Sequence, residues 1–232
     1  MAGRLTTEEV LAIMVHDLRS PLAAIQMALE VVRLSHTENS EVERAFGVME
    51  RQVGDLARLI GDLLDLTRVT KGKIKLRAEW VDLSAVIDHA VEACHPLITQ
   101  KRHQLTVSLP PEPTRVRADG PRLQQVLINL LNNAAKYTDL GGHIWLTAEA
   151  APGTQIVRVR DNGRGIAPDL LPRIFDLFQQ GPENQGLGGL GIGLALVKWL
   201  VELHGGTVCA HSDGLDKGSE FVVRLHAPVI RV

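Results

Sequence analysis

Apolar side chains recur along the early part of the chain at Leu11, Val15, Leu18, Leu22, Ile25, Leu29 and Val32, in alternating steps of four and three. Such a heptad seam predicts an amphipathic helix whose apolar stripe faces other helices. A polar break, SHTENS, follows, and Ser40 and Glu43 have the S-x-x-E spacing of a helix start. A second seam runs through Phe46, Met49, Val53, Leu56, Ile60 and Leu63. The two seams predict an all-α helical hairpin over residues 1–70. A lone hairpin buries too little apolar surface, so two copies completing a dimeric four-helix bundle is the expected assembly.

Around TKGKIKL the rhythm changes. The β-like runs KIKLRA, QLTVSL, TRVRA, HIWLTAEA, TQIVRVR, GTVCAHS and SEFVVRLH now interleave with helical stretches. The helices are expected from about Asp82 to Gln100, Pro121 to Tyr137 and Gly191 to His204. This grammar predicts a second domain over residues 71–232, of α/β or α+β type with helices on one sheet. The stretch QQGPENQGLGGL, near residues 179–190, reads as a loop.

Composition narrows the function classes. Hydrophobic residues at 45% and charged residues at 22% of 232 are ordinary for a soluble globular protein. A net charge of -2 and only 3% aromatics argue against a nucleic-acid partner. No apolar run is long enough to cross a bilayer, so no membrane contact is expected from this chain itself. Cys94 and Cys209 are far apart and lack metal-type spacing, which points to a reducing, cytoplasmic setting.

Three clusters in the second half carry chemistry. In RLQQVLINLLNNAAKYT, Leu123, Val126, Leu127, Leu130 and Leu131 form an apolar face. Asn129, Asn133 and Lys136 recur at steps of four and three on the opposite face. Asparagine oxygens suit magnesium and a lysine suits phosphate, although the same asparagines also suit a plain solvated helix face. In VRDNGRGIAPDLLPRIFDLF, Asp161 closes a β-like run and Gly163 and Gly165 open the backbone beside it. A carboxylate there can accept from an exocyclic amine such as that of adenine; an ordinary Asn-Gly turn is the alternative. In GLGGLGIGLALVKWLVELHGG, glycines crowd directly before an apolar helix, where free N–H groups and the dipole favour phosphate. This is neither a P-loop nor a good dinucleotide fingerprint.

Taken together and in this order, the three clusters resemble the N, G1, F and G2 boxes of the histidine-kinase ATP-binding domain, within the superfamily that includes gyrase, Hsp90 and MutL. The resemblance implies a two-layer α/β sandwich, a mixed sheet covered on one face by helices, with ATP and Mg2+ between helices and lid. It implies that Asn133 is the magnesium ligand with Asn129 its companion, and that Lys136 and Tyr137 lie beside the phosphates. Asp161 is implied to contact the adenine amine, with Gly163 and Gly165 shaping the pocket. Phe175 and Phe178 resemble the F box, and Gly189, Gly191 and Gly193 the hinge of the ATP lid. The stretch from DLFQQ to LHGG is most similar to kinases of hybrid type.

The first half then acquires a meaning. HDLRSP, residues 16–21, resembles the H box of the dimerisation and phosphotransfer domain, typically H-E-L-R-T-P. His16 falls beside the seam and is implied to be the phosphoacceptor, with Asp17 polarising its ring. Aspartate stands where glutamate is usual. Arg19 fits either a bundle salt bridge or a phosphate contact. Pro21 removes an N–H and clashes with the carbonyl of Asp17, which predicts a bend close to His16. Ser20 stands where a threonine or asparagine commonly orients water for dephosphorylation; it keeps the hydroxyl but loses the rotamer-restricting methyl. The implied activity is autophosphorylation of His16 followed by transfer to an aspartate of a response-regulator receiver domain. An ATPase of the same superfamily, or an idle dimeric scaffold, is the alternative. The ATPase needs a catalytic acid near Asn129, where the chain has Gln125 and Asn132.

Overall fold

The computed structural model describes residues 21–29, 32, 39–70, 75–112, 114–179 and 191–226. His16, Asp17, Ser20 and Gly189, and the bend expected between Asp17 and Pro21, lie outside the described residues.

Helix α1 covers residues 21–29, and α2 runs from Asn39 to Thr70, one residue ahead of the Ser40 start expected from the S-x-x-E spacing. Of the expected seam residues, Leu22, Leu29, Phe46, Val53 and Ile60 are about half exposed, whereas Ala45 and Leu59, each one position before a seam residue, are buried. Asp62 and Asp65 are buried on α2 as well.

The remainder follows in the order β1 (Glu79–Asp82), α3 (Leu83–Gln100), β2 (Gln104–Ser108), β3 (Arg115–Ala118), α4 (Gly120–Tyr137), β4 (His143–Ala151), β5 (Thr154–Asp161), α5 (Gly193–Leu203), β6 (Thr207–His211) and β7 (Ser219–His226). Five strands form a mixed sheet in the order β2-β4-β5-β7-β6; β2 and β4 are parallel and the other pairs antiparallel. β1 and β3 make a separate antiparallel ribbon.

One expected strand is displaced. KIKLRA was expected as β structure, but its described residues, 75–78, are irregular, and the strand begins immediately afterwards at Glu79. The pairing partner decides this: Val81 lies opposite Val116 and turns inward, and the Arg77 N–H donates to Asp119 at 2.9 Å, ending the ribbon. The last helix starts two residues later than expected, at Gly193.

Aspartates start two of the helices, as caps should. Asp82 accepts from Ser84 N–H, and Asp119 accepts from Arg122 N–H with Pro121 in the first turn. Side chains on one face of the sheet alternate with the pleat. Ile144, Leu146, Val157 and Val159 are buried against the helices, and Asp161 ends that same inward row. Leu123, Leu127, Leu130 and Leu131 of α4 are fully buried in the same cluster, with Ile87 of α3 and Leu196 and Leu200 of α5. Each contributes about 1.5–3 kcal/mol on leaving water. The opposite face carries the polar and aromatic set: His143 stacks on Trp145 at 4.0 Å and the Arg160 guanidinium lies 5.5 Å from the same ring. No helix among the described residues is long and apolar enough to cross a membrane.

Candidate functional site

The site lies where the C-terminal half of α4, the end of β5 and the start of α5 meet. Asp161 is 4% exposed, and both its oxygens are held. Gly163 N–H donates to Oδ1 at 2.8 Å and the Ser219 hydroxyl donates to Oδ2 at 2.6 Å. The second contact follows from register, because Asp161 and Ser219 are paired residues of β5 and β7. Burial raises the pKa of the carboxyl above its ordinary value, and the bonds from Ser219 and Gly163 oppose that rise. Sequence reasoning missed Ser219: nothing local marks it until β5 and β7 are known to be neighbours.

The loop after Asp161 packs on the end of α4. Arg164 N–H donates to Tyr137 O at 3.0 Å, and a Cβ on Gly163 would sit 2.4 Å from that same carbonyl, so only glycine fits. The last carbonyls of α4 are also capped from behind, Ala135 O by His103 at 3.0 Å and Lys136 O by Lys101 at 2.9 Å.

Asn129 is not a solvated surface residue. It is 7% exposed, and its Nδ2 has no hydrogen-bond partner among the described residues. A half-turn of the amide exchanges its nitrogen and oxygen, so this orphaned group can present either a donor or an acceptor. Gly193 at the start of α5 faces it; a Cβ there would lie 3.8 Å from the amide. Asn133, Lys136 and Tyr137 are half-buried along the same end of α4, with the Lys136 ammonium 4.8 Å from the Tyr137 ring centre. Burial raises the Tyr137 phenol pKa. Gln125, one turn earlier, turns away from this site: its Nε2 donates to Asp65 of α2 at 2.9 Å. No cluster of three His, Cys, Asp or Glu that could hold a metal occurs among the described residues.

Phe178 and Gly191 belong to a neighbouring contact. Phe178 has a φ of 61°, and its N–H donates to Gly191 O at 3.0 Å. Its ring joins Leu177, Ile192 and Trp199 in a cluster with Leu59 and Leu63 of α2, rather than lining the Asp161 pocket. Gly191 itself has a φ of 64° and lies against the backbone of Phe178 and Gln179. Phe175 packs edge-on against Phe221 in the core, with centroids 6.2 Å apart.

Comparison with known proteins agrees with this geometry. Residues 118–229 match the family described as histidine kinase-, DNA gyrase B-, and HSP90-like ATPase, and residues 6–72 match the His Kinase A (phospho-acceptor) domain. Sensor protein KdpD of Escherichia coli is 34% identical over 202 residues, which is 87% of this chain and 22% of KdpD. The chain thus spans about a fifth of that relative's length. Among solved structures, Acinetobacter baumannii histidine kinase AdeS is 26% identical with a TM-score of 0.69, covering 92% of this chain and 98% of that one. Full-length ShkA in complex with AMPPNP is 30% identical with a TM-score of 0.68, covering 96% of this chain and 46% of that one. A phosphoacceptor segment followed by an ATP-binding fold, on an arrangement shared with solved kinases over nearly its whole length, makes this chain a member of the histidine kinases and the equivalent of their catalytic core.

Proposed function

We propose that the chain is a protein-histidine kinase that autophosphorylates His16 from ATP and passes the phosphoryl group to an aspartate of a response-regulator receiver domain. The carrying observations are the buried Asp161 carboxylate, whose loop packs on the end of α4, and the buried Asn129 amide of the same helix, which faces Gly193 at the start of α5. In this reading Asp161 accepts from the adenine amine, and Gly163 and Gly165 let the base approach. Lys136 and Tyr137 stand beside the phosphates, and Gly189, Gly191 and Gly193 form the hinge of a lid over them. Phe178 acts on that lid through its contact with Gly191.

The donor set fits Mg2+: Asn133, with the unsatisfied amide of Asn129 beside it, supplies neutral hard oxygens. When bound, the ion offsets charge on the phosphate oxygens. A neutral ring nitrogen of His16 attacks the γ-phosphorus in line; the N–P bond forms as the P–O bond to ADP breaks. Asp17 takes up the proton that the imidazole gives up, or holds it by a hydrogen bond. Ser20, four residues after His16, keeps a hydroxyl that can orient a water for hydrolysis of the phosphoryl group on the receiver domain. Residues 1–70 act as the dimerisation and phosphotransfer domain and residues 71–232 as the ATP-binding domain. The half-exposed apolar rows Leu22 and Leu29, and Phe46, Val53 and Ile60, support a homodimer closed by a second hairpin. The free thiols of Cys94 and Cys209 are consistent with a cytoplasmic setting.

The test is incubation with Mg2+ and ATP labelled at the γ-phosphate, chased with a receiver domain. Label on the parent that resists alkali but not acid, absent from Asn133→Ala and moved to the receiver by the chase, is expected. Steady release of phosphate with no labelled protein would overturn the reading in favour of an ATPase. Gln125 argues against that outcome, since it is an amide already bonded to Asp65 and not an acid poised for water.

A further inference from the structure

The turn between β6 and β7 holds Gly214, Asp216 and Gly218 at φ values of 117°, 59° and 71°, angles that glycine takes freely and aspartate tolerates. It packs on the loop that carries Asp161. Gly218 N–H donates to Gly163 O at 2.9 Å, and Asp216 N–H donates to Arg164 O at 2.6 Å. The contact has no slack: a Cβ on Gly165 would sit 2.0 Å from Gly214 O, and one on Gly218 would sit 2.1 Å from Asp161 O. Since Gly163 abuts Tyr137 on the other side, the loop is held between the end of α4 and this turn.

Ser212 joins the two pieces with one hydroxyl. It accepts from Ile166 N–H, on the Asp161 loop, at 3.0 Å. It donates to Gly218 O, in the turn, at 2.7 Å. Ser219, whose own hydroxyl holds Asp161 Oδ2, directly follows Gly218. Ser212 therefore supports the acid twice, through the loop that bears it and through the residue that pins its outer oxygen. Only a group that accepts and donates at once can do this; threonine retains both roles and alanine neither.

We infer that Ser212 is a positioning residue for nucleotide-base recognition, fixing the depth at which Asp161 meets an exocyclic amine. The inference rests on the reading of Asp161 as the adenine contact. Its test compares ADP with inosine diphosphate, which carries a carbonyl oxygen in place of the amine. Calorimetric titration of the full chain with each nucleotide in Mg2+ gives the ratio of the two affinities. The parent is expected to favour ADP, and Asp161→Asn to lose that preference. Ser212→Ala is expected to lower the ratio about fivefold or more, the effect of misplacing one hydrogen bond to a charged group. Ser212→Thr is expected to restore it. A merely structural serine would lower the unfolding temperature and leave the ratio unchanged. If Ser212→Ala does not fold, Ser212→Cys, with its weak donor and acceptor, carries the comparison and is expected to fall between. A parental ratio in folded Ser212→Ala, or in Ser212→Cys where Ser212→Ala does not fold, with the ratio lost in Asp161→Asn, overturns the inference alone. A parental ratio in Asp161→Asn overturns the adenine reading and the inference with it.

Discussion

Asp161 ends a row of apolar side chains, and a carboxylate in that position tends to take up a proton. Burial raises its pKa, while Ser219 and Gly163 hold it down less strongly. A raised carboxyl pKa means that folding itself favours proton uptake. The group's contribution to stability is therefore present at acid pH and is lost as pH rises through the folded pKa. Nucleotide binding has the opposite sign, because the amine needs the charged acceptor. ADP affinity measured by calorimetry should fall as pH is lowered from neutrality, at a pH above that at which a free aspartate loses its charge. Asp161→Asn should flatten that dependence and weaken ADP binding by about tenfold to a hundredfold at neutral pH. An affinity that stays constant through this range in the parent, or a variant that keeps the slope, would contradict the assignment.

Elements hold the site through close approaches that a sequence marks only in part. Gly165→Ala forces a side chain into left-handed backbone at φ 68° and onto Gly214 O, so it should destabilise the ATP-binding fold by about 2 kcal/mol or more in urea unfolding. A midpoint within error of the parent would show that the turn yields. Arg122 of α4 reaches Asp65 of α2 at 2.5 Å, with Gln125 on the same oxygen; the partners' side chains are 24% and 10% exposed. A double-mutant cycle over Asp65→Ala and Arg122→Ala should give a coupling of about 1–2 kcal/mol, diminished but not abolished by salt. Additive losses would mean that the pair does not hold α2 to α4. These contacts explain what could be read in advance. The β-like runs of β4 and β5 and the amphipathic face of α4 are local patterns, and they were legible. The strand at Glu79–Asp82 was misplaced because KIKLRA and EWVD alternate about equally well, and only the pairing of Val81 with Val116 chooses between them. The Asp65–Arg122 pair spans 57 residues and the Asp161–Ser219 pair 58, and no local signal foretells either. Asn129 was legible as a candidate, but its burial depends on α5 closing over it.

In the proposed reaction the nucleotide site and His16 belong to different parts of the chain, so the transfer would depend on how the ATP-binding fold meets the segment that carries His16. Its present seat on α2 is a small apolar patch, Leu59 and Leu63 against Ile192, Phe178 and Trp199, flanked by Asp65 and Arg122. Because Phe178 is bonded to Gly191, two residues ahead of α5, this patch ties α2 directly to the start of α5. The half-exposed row Phe46, Val53 and Ile60 leaves apolar surface of α2 for a second copy. The central claim is that all of this serves one bond, between His16 and phosphorus. The most direct measurement is protein-bound label after incubation with Mg2+ and γ-labelled ATP, parent beside His16→Ala, with ADP affinity determined for both. The account predicts acid-labile label mapping to the His16 peptide of the parent and none on His16→Ala, at equal ADP affinity. Comparable label on His16→Ala would contradict it.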